Sequence, residues 1–366
     1  MSRRKKTHTD TRPREMDSTR PSSRRRCLLA LGWAATATLA GLALAASGLN
    51  PSSAPHRDAP STLPASSSPR SLHELLALPD DLFEKLDIVE LNLAVAREIP
   101  ECRDLDVARY RKTVDEWADR VKHEIDRHMY RFEQDPGNYK NSRAYFCALM
   151  MCTVIGQDFC VGYDLEDFSF EQPEDQFIHG VIDLRKGTCV SLPLIYIAIG
   201  QRLGYPIRAV TVPGHVFCRW DDPETGERLN IEAANLGGLT DHDDEYYRHW
   251  PYEVDPRWER EHHMLKSLTM REHAGLMVGS LGAYYVAEKD YPAAIRWDGL
   301  ACWLNPANRD GFISLHLTID HVSPRYFDAD EMAGRKNYWA LTPHPSLPAR
   351  ATNPGDAAKR HVDKRG

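Results

Sequence analysis

The spacing of apolar residues along the chain predicts helices first and strands later. In Asp106–Arg131, apolar side chains recur at steps of three and four residues, which predicts an amphipathic helix. Leu82–Ile99 shows the same pattern more weakly. Cys189–Gly200 is apolar on nearly every side, which predicts a buried helix. Gly204 and Pro206 then indicate where the helical stretch ends.

After this helix, short apolar runs alternate with turn residues, a pattern typical of an antiparallel sheet. The predicted strands are Ile207–Val212, His215–Trp220 and Arg228–Ala233. Pro213-Gly214 marks the first turn, and Asp221–Glu227 forms a hairpin loop. The pattern predicts an α+β fold with a buried helix against an antiparallel sheet. We divide the body into a helical N-terminal region, this core and a helical C-terminal region, at 71–176, 177–245 and 246–333.

The N-terminus combines a basic tail with a long apolar run. Met1–Arg26 holds ten Lys or Arg against three acidic residues, and Cys27–Leu49 follows as 23 uncharged, Ala- and Leu-rich residues. A stretch of about 20 apolar residues spans a bilayer core. Few basic residues follow the run, so the tail is expected on the cytoplasmic side. We therefore expect a single-pass, inner-membrane protein whose body is extracytoplasmic.

Two cleavable export signals are alternatives to this anchor. Ala43-Leu44-Ala45 offers a small-x-small cleavage pattern. Ser23–Leu29 resembles a twin-arginine signal in which Cys27 replaces the usual Phe. Either would release the body after export. Residues 50–70 are rich in Pro and Ser and predict a disordered linker, and residues 334–366 predict a disordered tail.

The distribution of charge argues against nucleic acid as the main partner. The formal net charge is −7, and because the basic tail contributes +7, the other 340 residues carry −14. An acidic body with a basic tail is not the charge pattern of a nucleic-acid-binding protein.

Candidate chemistry begins at Arg185-Lys186-Gly187-Thr188-Cys189, where a thiol opens the predicted buried helix. The positive end of the helix dipole and the two preceding cations both favour a thiolate. Gly187 allows the backbone to approach another group closely. A nucleophilic cysteine needs a base, and His215 is a candidate because it begins a strand at the end of the sheet.

The hairpin supplies a third group that could orient the histidine. With the loop centred near Glu224, His215 lies across from Glu232 or Ala233. Asn230 falls on the same face as Glu232, because side chains alternate along a strand, and is the alternative orienting residue. A one-residue slip of the register would turn Glu232 away.

These residues resemble a known group. RKGTCVSLPLIYIAIGQRLGYPIRAVTVPGHVFCRW with LNIEAANLGG resembles the transglutaminase-like superfamily in its SirB-type branch. LDIVELNLAVAREIPECRDLDVARYRKTVDEWADRV resembles the helical N-terminal portion of that branch. The resemblance implies a papain-like core with Cys189 as nucleophile, His215 as base and Glu232 as third member. The usual third residue is Asp, and many SirB-type members lack the cysteine.

The C-terminal region carries a second resemblance. Gly282–Pro306 is similar to one tetratricopeptide repeat, with small and aromatic residues at that repeat's spacing. A single repeat does not form an array, so we expect it to cap the core, with a protein partner as the alternative. The histidines of this region show no metal-site spacing: His262, His263, His316 and His321.

The expected function is a membrane-tethered thiol enzyme that needs no cofactor or metal and acts on a protein or peptide. It would be a protease or amidase if water takes the acyl group, and an acyltransferase if an amine does. The rival is a non-catalytic scaffold with the same fold that binds a partner through its helical regions. Six further cysteines of the body match no zinc template, and disulfides and free thiols both remain open.

Overall fold

The computed structural model describes residues 70–165, 172–234 and 239–322, with side chains as far as 319. The predicted anchor at Cys27–Leu49, the linker and the C-terminal tail lie outside these residues. Within the described ranges, every helix is too short or too polar to cross a membrane.

Five helices precede the core: α1 Leu72–Leu76, α2 Asp80–Phe83, α3 Ile88–Ala96, α4 Val107–Gln134 and α5 Arg143–Thr153. The 28-residue α4 confirms the predicted amphipathic helix, and Asp106 caps it by accepting a hydrogen bond from the Arg109 backbone N–H. Its apolar stripe is buried, as in Val114 and Val121.

The single helix predicted over Leu82–Ile99 is wrong, because the chain forms α2 and α3 there. Asp87 breaks the pattern by accepting a hydrogen bond from the Val89 N–H as the N-cap of α3. Burial on every side of α3 also explains why its periodicity was weak.

The core contains two short parallel strands, three helices and an antiparallel hairpin sheet. In chain order these are β1 Gly162–Tyr163, α6 Pro173–Gln176, α7 Ile178–Leu184, β2 Lys186–Gly187, α8 Leu192–Leu203, β3 Ile207–Val212, β4 His215–Asp221 and β5 Arg228–Ile231. Strand β1 pairs with β2, and the larger sheet has the order β3-β4-β5. The helix α8 is buried from Leu192 to Gly200 and ends at Gly204, whose φ of +71° is left-handed. This arrangement confirms the predicted α+β class.

The register of the hairpin differs from the predicted one. Cys218 pairs with Ile231 and Arg219 with Asn230, so the pairing is shifted and does not set His215 directly across from Glu232 or Ala233. The loop is held by hydrogen bonds between Asp222 and residues up to Glu227, which moves its centre toward the C-terminus.

Two apolar layers cover the sheet. One contains α8 and the inward residues Ile207, Ala209 and Cys218. The other is a smaller cluster on the opposite face: Val210, Val212, Phe217, Tyr247, Val254, Met264 and Leu265. His215 and Phe217 alternate with Val216 and Cys218 along β4, so His215 shares its strand face with Phe217.

Among the described residues, five α-helices follow the sheet: α9 Asp244–His249, α10 Pro256–Glu261, α11 Met270–Ala287, α12 Tyr291–Leu304 and α13 Arg309–Val322. Helices α11 and α12 approach closely, since a Cβ at Gly282 would lie 1.9 Å from Asp298 Oδ1. Asp298 is buried and accepts hydrogen bonds from the Ser314 and Thr318 hydroxyls. Burial raises the pKa of Asp298 to about 6, against the lowering effect of those two hydrogen bonds.

Candidate active site

Cys189 lies in a turn that leads directly into α8, which begins three residues later than predicted. The hydroxyls of Thr188 and Ser191 both donate to the Asp175 carbonyl, at 2.8 and 2.7 Å. Within the turn, the Thr188 N–H donates to Ser191 Oγ at 3.0 Å, and the Leu192 N–H donates to the Thr188 carbonyl. The thiol is therefore carried by a turn that α6 holds in place.

Gly187 allows the tight packing of this turn, as its position in the motif predicts. A Cβ there would lie 2.8 Å from both Ser191 Oγ and Val181 Cγ2. A larger residue would push the turn away from α7.

The two cations before the thiol each have a partner of their own. Lys186 Nζ lies 2.6 Å from Asp164 Oδ2, and the Arg185 guanidinium lies 4.6 Å from the centre of the Trp117 ring. Because both cations are engaged elsewhere, we expect His215, rather than Arg185 or Lys186, to stabilise the thiolate of Cys189.

His215 is the first residue of β4 and follows the Pro213-Gly214 turn, in which Gly214 has a φ of +71°. The Cys189 side chain lies near enough to the imidazole to raise the pKa of His215. His215 Nε2 lies 2.9 Å from Glu232 Oε2. The structure thus brings Cys189, His215 and Glu232 together in one buried cluster, and their exposed fractions are only 6, 7 and 4%.

Glu232 lies just beyond the end of β5, and its carboxylate is held from three sides. Oε2 accepts from His215 Nε2 and from the Tyr247 hydroxyl at 2.9 Å, while Oε1 accepts from the Ala234 N–H at 2.8 Å. The observed register is two residues away from a direct pairing of His215 with Glu232, and because an even shift keeps side chains on the same face, Glu232 still shares the strand face of His215.

The charges of the pair follow from these contacts. Burial lowers the pKa of His215, but the negative charge of Glu232 and the hydrogen bonds to Cys189 and Glu232 outweigh it, and the pKa is raised. Burial raises the pKa of Glu232, but the charge of His215 and the three hydrogen bonds outweigh it, and the pKa is lowered. Both shifts favour an imidazolium beside a carboxylate.

Aromatic rings enclose this pair. Tyr247 stacks on Phe217 with centroids 3.8 Å apart and planes 5° apart. The Trp250 ring meets the His215 ring edge-on, with centroids 4.7 Å apart. These rings exclude water from the ion pair and so strengthen it.

Asn230, the alternative orienting residue, has other partners. Its Oδ1 accepts from Arg219 Nε at 2.6 Å, and its Nδ2 donates to the His242 carbonyl and to Asp244 Oδ1 at 2.9 Å. Arg219 is fully buried and also pairs with Asp244. Asn230 therefore belongs to a buried network around Arg219 that the sequence did not predict.

The other cysteines of the described ranges form no disulfide with one another, and most are buried. Burial raises the pKa of Cys102 to about 11 and that of Cys152 to about 12. Cys160 is exposed. Labelling reagents are therefore expected to distinguish the buried, protonated thiols from Cys160.

Among the described residues, no group of three or more His, Cys, Asp or Glu is arranged to hold a metal ion. His263 pairs with Glu272 at 3.0 Å, and His262 contacts the Ala307 carbonyl at 3.2 Å. The His321 side chain lies outside the described residues.

Comparison with known proteins supports the transglutaminase-like resemblance. Residues 108–278 match the family model described as the Transglutaminase-like superfamily, and this range includes the cysteine, the histidine and the glutamate. The match confirms the resemblance at the level of the superfamily.

Curated relatives match over shorter stretches. A UPF0162 protein of Xylella fastidiosa (strain Temecula1 / ATCC 700964) is 27% identical over 145 residues, covering 39% of this chain and 44% of the relative. F-box only protein 21 of Mus musculus is 33% identical over 55 residues, covering 15% of this chain and 9% of the relative. The human F-box only protein 21 is 34% identical over the same length. The chain thus spans less than half the length of these relatives, and no solved structure gives a significant match.

Proposed function

We propose that this protein is a transglutaminase-like thiol enzyme that forms a thioester between Cys189 and an acyl group of a protein or peptide. The observation that supports this most strongly is the buried cluster of Cys189 beside His215, with His215 hydrogen-bonded to Glu232. A thiol, a base and a group that orients the base are the parts that nucleophilic catalysis requires.

In the proposed reaction, the Cys189 thiolate attacks an amide or ester carbonyl, and the carbonyl electrons move to oxygen. The imidazolium of His215 gives its proton to the leaving amine or alcohol as the bond to carbon breaks. His215 then takes a proton from water or an amine, which attacks the thioester and frees the thiol. The Cys189 backbone N–H would donate to the oxyanion.

Ester turnover tests this proposal directly. We expect p-nitrophenyl acetate to release nitrophenol in a burst, with an acetyl group on Cys189 that hydroxylamine removes. Cys189→Ala should lose the burst, and Cys160→Ala should keep it as the matched control. Faster release with methylamine would indicate acyl transfer, and release by water alone would indicate hydrolysis. Acetylation of Cys160 without Cys189 would favour the non-catalytic scaffold.

We further propose that Cys27–Leu49 tethers the body to the inner membrane, with the body extracytoplasmic. The support is the uncharged run after a strongly basic tail. Added protease should digest the body in intact spheroplasts. Protection until lysis would contradict the orientation, and a soluble periplasmic body would favour cleavage after export.

We also propose that the chain belongs to the SirB-type branch and that Gly282–Pro306 is a single tetratricopeptide-like unit. The support for the unit is the close packing of α11 on α12 at Gly282. Its proposed role is to cap the core, with a protein partner as the alternative. Deletion of residues 270–322 should destabilise the core if the unit is a cap. Loss of a bound protein in pull-downs from a folded deletion variant would instead indicate a partner site.

A further inference from the structure

Tyr247 contacts Glu232 of the candidate site, a contact that the sequence did not predict. It lies on the six-residue helix α9, is fully buried, and its hydroxyl donates to Glu232 Oε2 at 2.9 Å. That oxygen is the one that faces His215 Nε2. The phenol therefore acts on the oxygen that orients the base.

The position of Tyr247 is fixed from two directions. Its ring stacks flat on Phe217, which lies two residues after His215 on the same strand. Its helix is anchored because Asp244 pairs with the buried Arg219. The sheet that carries the histidine thus also fixes the phenol.

The phenol keeps its proton and so remains a donor. Burial and the negative charge of Glu232 raise the pKa of Tyr247. Rotation of the Glu232 carboxylate would break the bonds to Tyr247 and to the Ala234 N–H. The two donors leave one oxygen directed at the imidazole.

We propose that Tyr247 is a positioning residue that fixes the Glu232 carboxylate against His215; as a role in catalysis, this rests on the proposed function. This positioning role also explains why the chain has Glu at a position where the superfamily usually has Asp. The additional methylene lets one carboxylate oxygen reach both the imidazole and the phenol.

Two measurements on the full chain test this positioning role separately from catalysis. The first is the titration of the His215 ring, followed by NMR with labelled histidine. In Tyr247→Phe, we expect the midpoint to fall by about one pH unit, because the carboxylate, no longer held by the phenol, rotates away from the imidazolium. The second is the alkylation rate of Cys189 near pH 7, which should fall by up to about tenfold, because proton transfer from the thiol to the imidazole becomes tenfold less favourable per unit of His215 pKa.

Tyr110→Phe is the matched control. Tyr110 is also buried and donates to a carboxylate, Asp183 Oδ2, at 2.7 Å, but outside the candidate site. This variant should leave both readouts unchanged. A role through Glu232 also predicts that Tyr247→Phe has no further effect in a Glu232→Gln background.

The outcomes separate the two proposals. An unchanged or raised His215 midpoint in folded Tyr247→Phe would overturn the positioning role, as would a fall that persists with Gln at 232. An equal fall in Tyr110→Phe would show a general packing effect and overturn it too. If Cys189 of the unmodified protein reacts no faster than Cys160, the proposed function fails, while the His215 titration still decides the role of Tyr247.

Discussion

Glu232 is the charged partner of His215, and the substitution Glu232→Gln keeps the size of this side chain while removing its negative charge. The two groups are 2.9 Å apart and each side chain is about 95% buried, so solvent screens their interaction little. A hydrogen bond to a charged group contributes about 1.5–3 kcal/mol. Since each pH unit corresponds to about 1.4 kcal/mol, His215 should titrate about one to two units lower in the variant.

The pH range of the effect follows from the signs of the two shifts. The pKa of Glu232 is lowered, so its contribution is present above its ordinary value of 4.5 and is lost as the pH falls through the lowered pKa. The pKa of His215 is raised, so its contribution is complete below 6.5 and is lost as the pH rises through the raised pKa. The ion pair is therefore complete between about pH 4.5 and 6.5, and persists above this range.

Alkylation by iodoacetamide, resolved by site with mass spectrometry, measures the consequence. Between pH 6 and 7, Cys189 in Glu232→Gln should react up to about 10- to 100-fold more slowly, because a less basic imidazole takes the proton of the thiol less readily and so less thiolate forms. Cys160, an exposed thiol in the same molecule, serves as the internal reference. Glu272→Gln is the matched control, since it removes the charge from another glutamate–histidine pair, 3.0 Å from His263.

An unchanged pH–rate profile in correctly folded Glu232→Gln would refute the assignment of Glu232. A slower rate in Glu272→Gln of the same size would also refute it, because a distant charge would then have the same effect.

Three further predictions concern the supports of the site and the C-terminal helices. Asp298→Asn should be more stable than the unmodified protein at pH 7 by up to about 3 kcal/mol, and equally stable near pH 3.5, in urea melts. The sign follows because the pKa of Asp298 is raised to about 6, so its contribution is present at low pH and is lost as the pH rises toward 6. Asp244→Asn should lower the free energy of unfolding by about 3 kcal/mol, since it leaves the fully buried Arg219 without its carboxylate, and a smaller loss than 1 kcal/mol would contradict this. Gly180→Ala should abolish folding of the core, measured by circular dichroism, because its Cβ would lie 2.0 Å from the Glu174 carbonyl oxygen; a native spectrum and melting temperature would contradict it.

The sheet was largely predictable because its signals are local. Alternation of apolar residues and the Pro213-Gly214 turn define β3 and the start of β4 from neighbouring residues alone. The register was not predictable, since it depends on how Asp222 bonds across the loop. The strand face of Glu232 was nevertheless predicted correctly despite the wrong register, because side chains point to the same face at every second residue.

Other parts of the candidate site carry no such local signal. The three-residue spacing of Thr188 and Ser191 is visible in the sequence. Their common acceptor, the Asp175 carbonyl, belongs to a separate helix and could not be predicted. Tyr247 lies on a helix too short for apolar periodicity, and its contact with Glu232 depends on tertiary packing. Long-range placement of this kind cannot be inferred from one sequence.

The turn that carries Cys189 is held by a main-chain oxygen, which bears on how such sequences can diverge. Every amino acid has that carbonyl, so residue 175 can change its side chain and still accept from Thr188 and Ser191. The donors have less freedom, because few small side chains offer a hydroxyl. In distant homologues, we therefore expect hydroxyl residues to flank the cysteine even where the helix that holds them has changed beyond recognition.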